Sequence, residues 1–413
     1  MEKNDVVIVG GGLAGLCCAR ALHAAGVECL VLEADDDVGG RVRTDHVEGF
    51  QLDRGFQVFL AAYPEARRVL DYDALDLRAF APGALVRFGG RFHRVTDPWR
   101  RPLQSLQTLF SPIGSFTDKL RVARLRRRVC ASSLEELESR PETTTLRSLQ
   151  KAGFSEAMIE RFFRVFLGGI FLEPDLSTSS RMFDFVFRMF SQGPACVPAA
   201  GMGAIPAQLA AALPEESLHV RTRVDSISGS RVRLENGETV QARAVVVATA
   251  GQEAARLLPG VQPPASCPVQ CLYFAAPSPP FDEPILVLDG EDAGPINNLC
   301  VMSAVAPTYA PQGRALVSVS VLGSSAANAE AGVRQQLQDW FGGASRDWEL
   351  LRHQTIRHAL PAQLPKARTM PPHPRVQSGL YLCGDHLGNA SIQGAMLAGR
   401  RAAEAVIEDL AGA

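Results

Sequence analysis

Four residues near the start have the types and spacing to hold a dinucleotide: Gly10, Gly12, Gly15 and Glu33. The glycines fall in G-x-G-x-x-G register directly after the β-branched run Val6–Val9, with Leu13 and Ala14 between the second and third. In that register the first glycine permits a tight turn, the second lets backbone approach a pyrophosphate, and the third lets a helix press on the strand. Phosphates then sit at the helix N-terminus, where free N–H groups and the macrodipole favour negative charge. Glu33 closes the next apolar run, Cys29–Leu32, and Ala34 follows it. A carboxylate there takes a ribose hydroxyl and disfavours a 2′-phosphate, so NADP is disfavoured.

The elements that must position these groups are a strand at Val6–Val9, a helix of Ala, Leu and Cys, and a strand at Cys29–Leu32. Gly39-Gly40-Arg41 then forms a flexible turn ending in a cation placed to follow a phosphate. The stretch 49–59 alternates as a strand would. It is interrupted at Gly55, where a flat ring can approach the backbone, and it carries Arg54, Phe56 and Gln57. Residues 218–250 read as a β-meander with a hairpin turn at Asn236-Gly237, ending in the buried run Ala244–Ala248 of a parallel sheet. Strands are expected at Ile285–Leu288 and Ala315–Val321, and a helix near 327–343. The closing segment 379–410 gives a short strand, a loop with Gly384-Asp385 and a long helix. The dinucleotide domain therefore takes 1–60, 216–262 and 355–413. A second domain takes 61–215 and 263–354, with a helical part at about 100–190 and a proline-rich crossing at 262–281.

The 413 residues carry a formal net charge of −2, which gives no bulk reason to bind nucleic acid, and no basic array is interleaved with aromatics. Nine cysteines without paired spacing point to reduced thiols in a cytoplasmic protein, and eight scattered histidines form no metal site. The acidic start and three consecutive glycines argue against a secretory leader. The longest uncharged stretch, 189–214, is broken by four prolines and does not read as a membrane span. The stretch 115–130 carries Lys119, Arg121, Arg124, Arg126, Arg127 and Arg128 on an expected helix: a solvated face, or a peripheral contact with anionic lipid. Residues 162–190 hold eight of the 20 phenylalanines, read as core, as the wall of a channel for a greasy ligand, or as both. Gly201-Met202-Gly203 suggests a second approach of backbone to a flat ligand.

With these residues assembled, the chain resembles the flavin-dependent superfamily that contains monoamine oxidase, protoporphyrinogen oxidase and phytoene desaturase. Four ordered motifs carry the resemblance: GGGLAG (10–15) with Glu33, GGRVRT (39–44), the meander ending VVVATA (245–250), and YLCGD (381–385) with SIQGAMLAGRRAA (391–403). It implies an α/β fold, α+β overall. A Rossmann-like FAD-binding domain of the glutathione-reductase and amine-oxidase type would carry an inserted substrate domain of mixed sheet and helices. It implies non-covalent FAD. Gly10, Gly12 and Gly15 would take the pyrophosphate, and Glu33 the adenosine ribose. Arg41 would lie near the phosphate and flavin, and Val224 would meet the adenine edge through its backbone. Gly384-Asp385 would take the ribityl–phosphate region, and Ile392, Gln393 and Ala395 would place a helix N-terminus at the flavin ring. Cys383 is expected to face the core rather than to bond flavin, and His386 is not assigned a role as base.

The family's amine oxidases place a lysine near the flavin on a substrate-domain strand. Lysine occurs here only at 3, 119, 151 and 366, and 268–277 occupies the expected strand. Ile392 stands where those enzymes have an aromatic residue. These departures favour the branch that removes hydride from hydrophobic molecules to flavin N5, with reoxidation by oxygen or quinone. Arg54, Gln57 and Tyr273 are candidates to orient a substrate head group, Arg54 equally as a structural ion pair. The alternatives are an oxidase of a small or secondary amine, and an FAD-dependent isomerase or non-redox flavoprotein. The expected partner is a hydrophobic small molecule.

Overall fold

A computed structural model describes residues 4–101, 111–324, 329–365 and 373–412. Lys3, Lys366 and the start of the helix expected near 327 lie outside the described residues.

The first sheet is built on the strand Asn4–Val9, which lies between two parallel neighbours, Cys29–Leu32 and Thr239–Val247. A strand covered on both faces cannot alternate apolar with polar residues, which is why Val6–Val9 reads as an unbroken apolar run. Val6 and Ile8 join one core and Val7 and Val9 another, on opposite faces. Leu380–Leu382 extends the sheet in parallel beyond Thr239–Val247, and Leu218–His219 pairs in parallel beyond Cys29–Leu32. The antiparallel meander runs through Val224–Ser228 and Arg231–Leu234 into Thr239–Val247.

Two helices cover the face that holds Val6 and Ile8, and glycine sets how closely they approach. A Cβ on Gly15 would lie 1.9 Å from the Gly10 carbonyl oxygen, so the helix Leu13–Ala24 presses on the turn that precedes it. A Cβ on Gly399 would lie 2.0 Å from the Ala14 carbonyl oxygen, so the closing helix Ile392–Ala411 packs backbone to backbone on Leu13–Ala24. The meander, the closing strand and both long helices fall where the sequence pattern puts them.

The second sheet has seven strands, in the order Glu349–Pro361, Ser266–Ala276, Ala315–Leu322, Ile296–Val301, Leu286–Asp289, Gly83–Phe88 and Arg91–Thr96. Its pairs are antiparallel except for Leu286–Asp289 with Gly83–Phe88. The 354/355 boundary expected between the domains falls inside the strand Glu349–Pro361. The helix Arg164–Phe171 packs on three strands of this sheet, and Phe116–Ala131 packs on Ser180–Gln192. Ser115 caps Phe116–Ala131 by accepting from the Asp118 amide, and Asp118 accepts from Ser115 in return. No helix of the described residues is long and apolar enough to cross a membrane.

A hairpin pairs Thr44–Val47 with Phe50–Asp53 and is tied to the second sheet through Tyr273, whose hydroxyl donates to the Asp53 carbonyl. Its last residue, Asp53, is 2% exposed and takes hydrogen bonds from the Thr44 hydroxyl (2.6 Å), the Met202 amide (2.9 Å) and the Tyr309 hydroxyl (2.8 Å). Burial nevertheless pushes its carboxyl up to about 6. Gly201 and Gly203 serve this junction. A Cβ on Gly201 would lie 2.4 Å from the Thr44 Oγ1, and the Gly203 amide donates to that same oxygen. The expected close approach of Gly201-Met202-Gly203 is thus to the hairpin, and neither glycine lines the cavity described next.

Candidate cofactor and substrate cavity

One cavity of about 720 Å³ runs from the glycine turn to the phenylalanine-rich helices. That is within the ~300–1,000 Å³ usual for small-molecule and cofactor sites.

At one end, Gly12 is the N-cap of Leu13–Ala24 and offers no side chain, so no cap takes the first N–H groups of the helix. A Cβ on Gly12 would meet no atom within 4 Å, whereas Gly10, Gly12, Leu13 and Ala14 all line the cavity. Glu33 and Ala34 line it beside them. The Glu33 carboxylate accepts from the Gly11 amide (2.6 Å) and the Asp35 amide (2.8 Å), which fixes its direction. Gly39, Gly40 and Arg41 complete this wall. Arg41 donates to Asp385 (2.7 Å) and to the Ala359 carbonyl (3.0 Å), and the Asp385 carboxylate raises the guanidinium pKa. Gly384, Asp385, Ile392 and Ala395 line the cavity where the closing helix begins, and Val224 lines it from the meander. Open space over an uncapped helix N-terminus, a fixed carboxylate where a ribose is expected and a second helix N-terminus further along together fit FAD.

Three expected site residues lie outside the lining. Gly15 is withdrawn behind Gly10, where its role is packing. The Gln393 side chain is buried and accepts from the Glu65 amide at 2.9 Å, so it points away from the cavity. Tyr273, also buried, donates to the Asp53 carbonyl at 2.8 Å and braces the hairpin, which removes it as a substrate-orienting group. Two other candidates reach the lining but are already engaged. Arg54 lies 3.7 Å from Asp35 and 3.6 Å from Asp45, as an ion pair, and Gln57 donates to the Arg41 and Arg54 carbonyls. Gly55 and Phe56 line the cavity, although a Cβ on Gly55 would meet Ile356 at 2.7 Å rather than open space. Cys383 lies in the core with its thiol pushed up to about 12 by burial, and it does not line the cavity. His386 is also outside the lining; neither ring nitrogen finds a partner among the described residues, and burial lowers its pKa.

A profile of the family described as flavin containing amine oxidoreductase matches residues 13–407. The chain belongs to the flavin-containing amine oxidoreductases. Local matches include a coproporphyrinogen III oxidase of Propionibacterium freudenreichii subsp. freudenreichii, 38% identical over 86 residues, 21% of this chain and 15% of that protein. A polyamine oxidase 4 of Oryza sativa subsp. japonica is 50% identical over 51 residues, 12% of this chain and 10% of that one. An amine oxidase B of Homo sapiens is 55% identical over 43 residues, 10% and 8% of the two chains. The matches therefore span at most 15% of these three relatives. Among solved structures, an oxidoreductase from Methanosarcina mazei superposes with a TM-score of 0.75 at 19% identity, covering 98% of this chain and 100% of that one. A putrescine oxidase bound to putrescine gives 0.69 at 18%, covering 98% and 99%. A UDP-galactopyranose mutase gives 0.71 at 17%, covering 98% and 96%. At these identities the likeness is one of fold.

The far end of the flavin oxidoreductase's cavity is apolar. Val122, Met158, Phe162, Phe166, Val186, Phe187 and Phe190 form its wall, with Trp99, Arg100 and Arg126 beside them. Phe162 and Phe166 stack at 5.4 Å, and Phe166 meets Phe190 at 5.4 Å. The phenylalanine run divides between the two: Phe171 and Phe183 are buried in the core off the lining, while Phe162, Phe166, Phe187 and Phe190 face the cavity. Sequence reasoning missed Trp99 and Arg100, for which no local pattern gave a signal, and placed Arg126 only in a surface charge run.

Proposed function

We propose that this flavin oxidoreductase dehydrogenates a hydrophobic substrate. The observation that carries the reading is the state of the charges in the cavity lining. Each carboxylate is already engaged: Glu33 by backbone amides, Asp97 by Arg100 and the Trp99 amide, Glu253 by Arg256, and Asp385 by Arg41. None is left to pair with the cation of an amine, and among the described residues no lysine lines the cavity. What remains is an apolar wall that excludes water and orients a substrate by shape. Bound FAD would supply the hydride acceptor at its N5, with oxygen or a quinone as the final oxidant. The chain would hold it without a covalent bond, through the turn Gly10–Ala14, Glu33, Arg41, Asp385 and the N-terminus of Ile392–Ala411. The test is an anaerobic titration of the purified yellow protein with polyenes, a porphyrinogen and a panel of amines. Bleaching of the flavin band by a polyene or porphyrinogen is expected. Bleaching by amines alone would refute the reading, and no bleaching by any compound would favour a non-redox flavoprotein.

The helix Phe116–Ala131 is the proposed lipid contact. The structure draws Arg121 to Asp118 and Arg128 to Asp184, and stacks Arg126 on Trp99. Arg124 and Arg127 stay exposed, on a stripe with Phe116 (62% exposed) and Leu120 (58% exposed). Exposed apolar groups followed by cations along one stripe suit an anionic lipid surface.

A further inference from the structure

Arg126 is a cation in the cavity lining for which the described residues supply no carboxylate. Its guanidinium lies over the Trp99 ring, 4.6 Å from the centroid, and its Nη2 donates to the Ser191 carbonyl at 3.0 Å. Its Nη1 is buried and has no hydrogen-bond partner among the described residues. The neighbouring Arg100 differs: it lies 3.8 Å from Asp97 and donates to the Phe190 carbonyl at 2.8 Å. Residues 102–110, next along the chain, contain no Asp or Glu that could serve Arg126. A charge partly withdrawn from water is costly until it is paired. A guanidinium held over an indole face is pre-organised to receive an anion.

The surroundings say where the rest of the ligand goes. Trp99 is 46% exposed, so this end of the cavity reaches the surface. Val122 lies one turn before Arg126 on the same helix, and Phe187 and Phe190 approach from the helix Ser180–Gln192; all three line the cavity. An apolar body therefore fits inward, with its charge at the rim.

We propose that Arg126, stacked on Trp99, is an anion anchor, so that the substrate carries a carboxylate or phosphate at the end of an apolar body. The inference rests on the reading that the cavity takes an apolar substrate, and it names the group that sets that substrate's direction. Arg126 is a specificity-determining residue in this account, and no proton or hydride passes through it.

The test uses the FAD-loaded protein and four probes that share one chain: dodecanoate, dodecyl phosphate, dodecanol and dodecylamine, each below its micelle concentration. Affinities are read by calorimetry for the wild type, Arg126→Gln and Arg126→Lys, with a thermal melt of each to confirm the fold. The anions should bind the wild type about tenfold more tightly than dodecanol, the scale of one charge-assisted hydrogen bond. Arg126→Gln should abolish that advantage and leave dodecanol unchanged, while Arg126→Lys should restore part of it. Whichever anion binds more tightly identifies the head group. Anions no tighter than dodecanol, or an advantage that survives Arg126→Gln, would overturn the anchor and leave the apolar cavity standing. Failure of all four probes to bind, or a preference for dodecylamine, would overturn the apolar-substrate reading and the anchor with it.

Discussion

Gly12→Ser and Gly15→Ala are equally small changes three positions apart, and they should fail in different ways. Gly12 has φ −74° and ψ 179°, which any residue adopts, and a Cβ there meets no protein atom within 4 Å. Serine is also at least as good an N-cap as glycine, by a few tenths of a kcal/mol. The apo-protein should therefore melt within about 1 °C of wild type. The new side chain does occupy the space through which a pyrophosphate would reach the first-turn N–H groups. Losing one or two charge-assisted hydrogen bonds, about 1.5–3 kcal/mol each, should weaken FAD binding by roughly a hundredfold. Gly15→Ala instead puts a Cβ 1.9 Å from the Gly10 carbonyl oxygen. That is far inside van der Waals contact, so the helix must shift, at a cost of about 1–3 kcal/mol or more in stability. Its FAD loss should come with a lower apo melting temperature. The assay pairs FAD titration of each apo-protein with its thermal melt. A Gly12→Ser protein that binds FAD with wild-type affinity would refute the placement of the phosphates at this helix.

Two further outcomes follow from the hairpin and the basic helix. Because burial raises Asp53 to about 6 from an unfolded value of 3.8, the native state binds this proton more tightly than the unfolded chain. Its contribution is fully present below about pH 4 and is lost as pH rises through about 6, about 3 kcal/mol at ~1.36 kcal/mol per unit; Asp53→Asn should remove that slope from urea unfolding at pH 4–7, and an unchanged slope would show that the three donors outweigh burial. Arg124→Glu with Arg127→Glu should abolish association with anionic vesicles in a flotation assay without lowering the melting temperature, since neither arginine forms an ion pair with a described residue; association that survives the double change would remove this helix as the lipid contact.

What could be read from the residues alone was mostly local. The turn Gly10–Gly15, the strands on either side of it, Glu33 at the end of Cys29–Leu32 and the closing helix are specified by neighbours in sequence. Backbone sterics, apolar periodicity and helix-terminus chemistry all act over a few residues. The substrate end depended on long-range packing. A glycine shows that something comes close but not what, so Gly201 and Gly203 suggested a ligand where the structure has Thr44. A polar side chain in a strand or helix does not announce which way it points, so Tyr273 and Gln393 turned out to brace Asp53 and Glu65. Charge runs hide the same ambiguity: of six basic residues on one helix, Arg121 and Arg128 are neutralised by partners and Arg124 and Arg127 face solvent. Arg126 is carried by Trp99 and the end of a distant helix into the cavity wall. Electrostatic role depends on what lies within a few ångströms in space, and only the tertiary fold sets that.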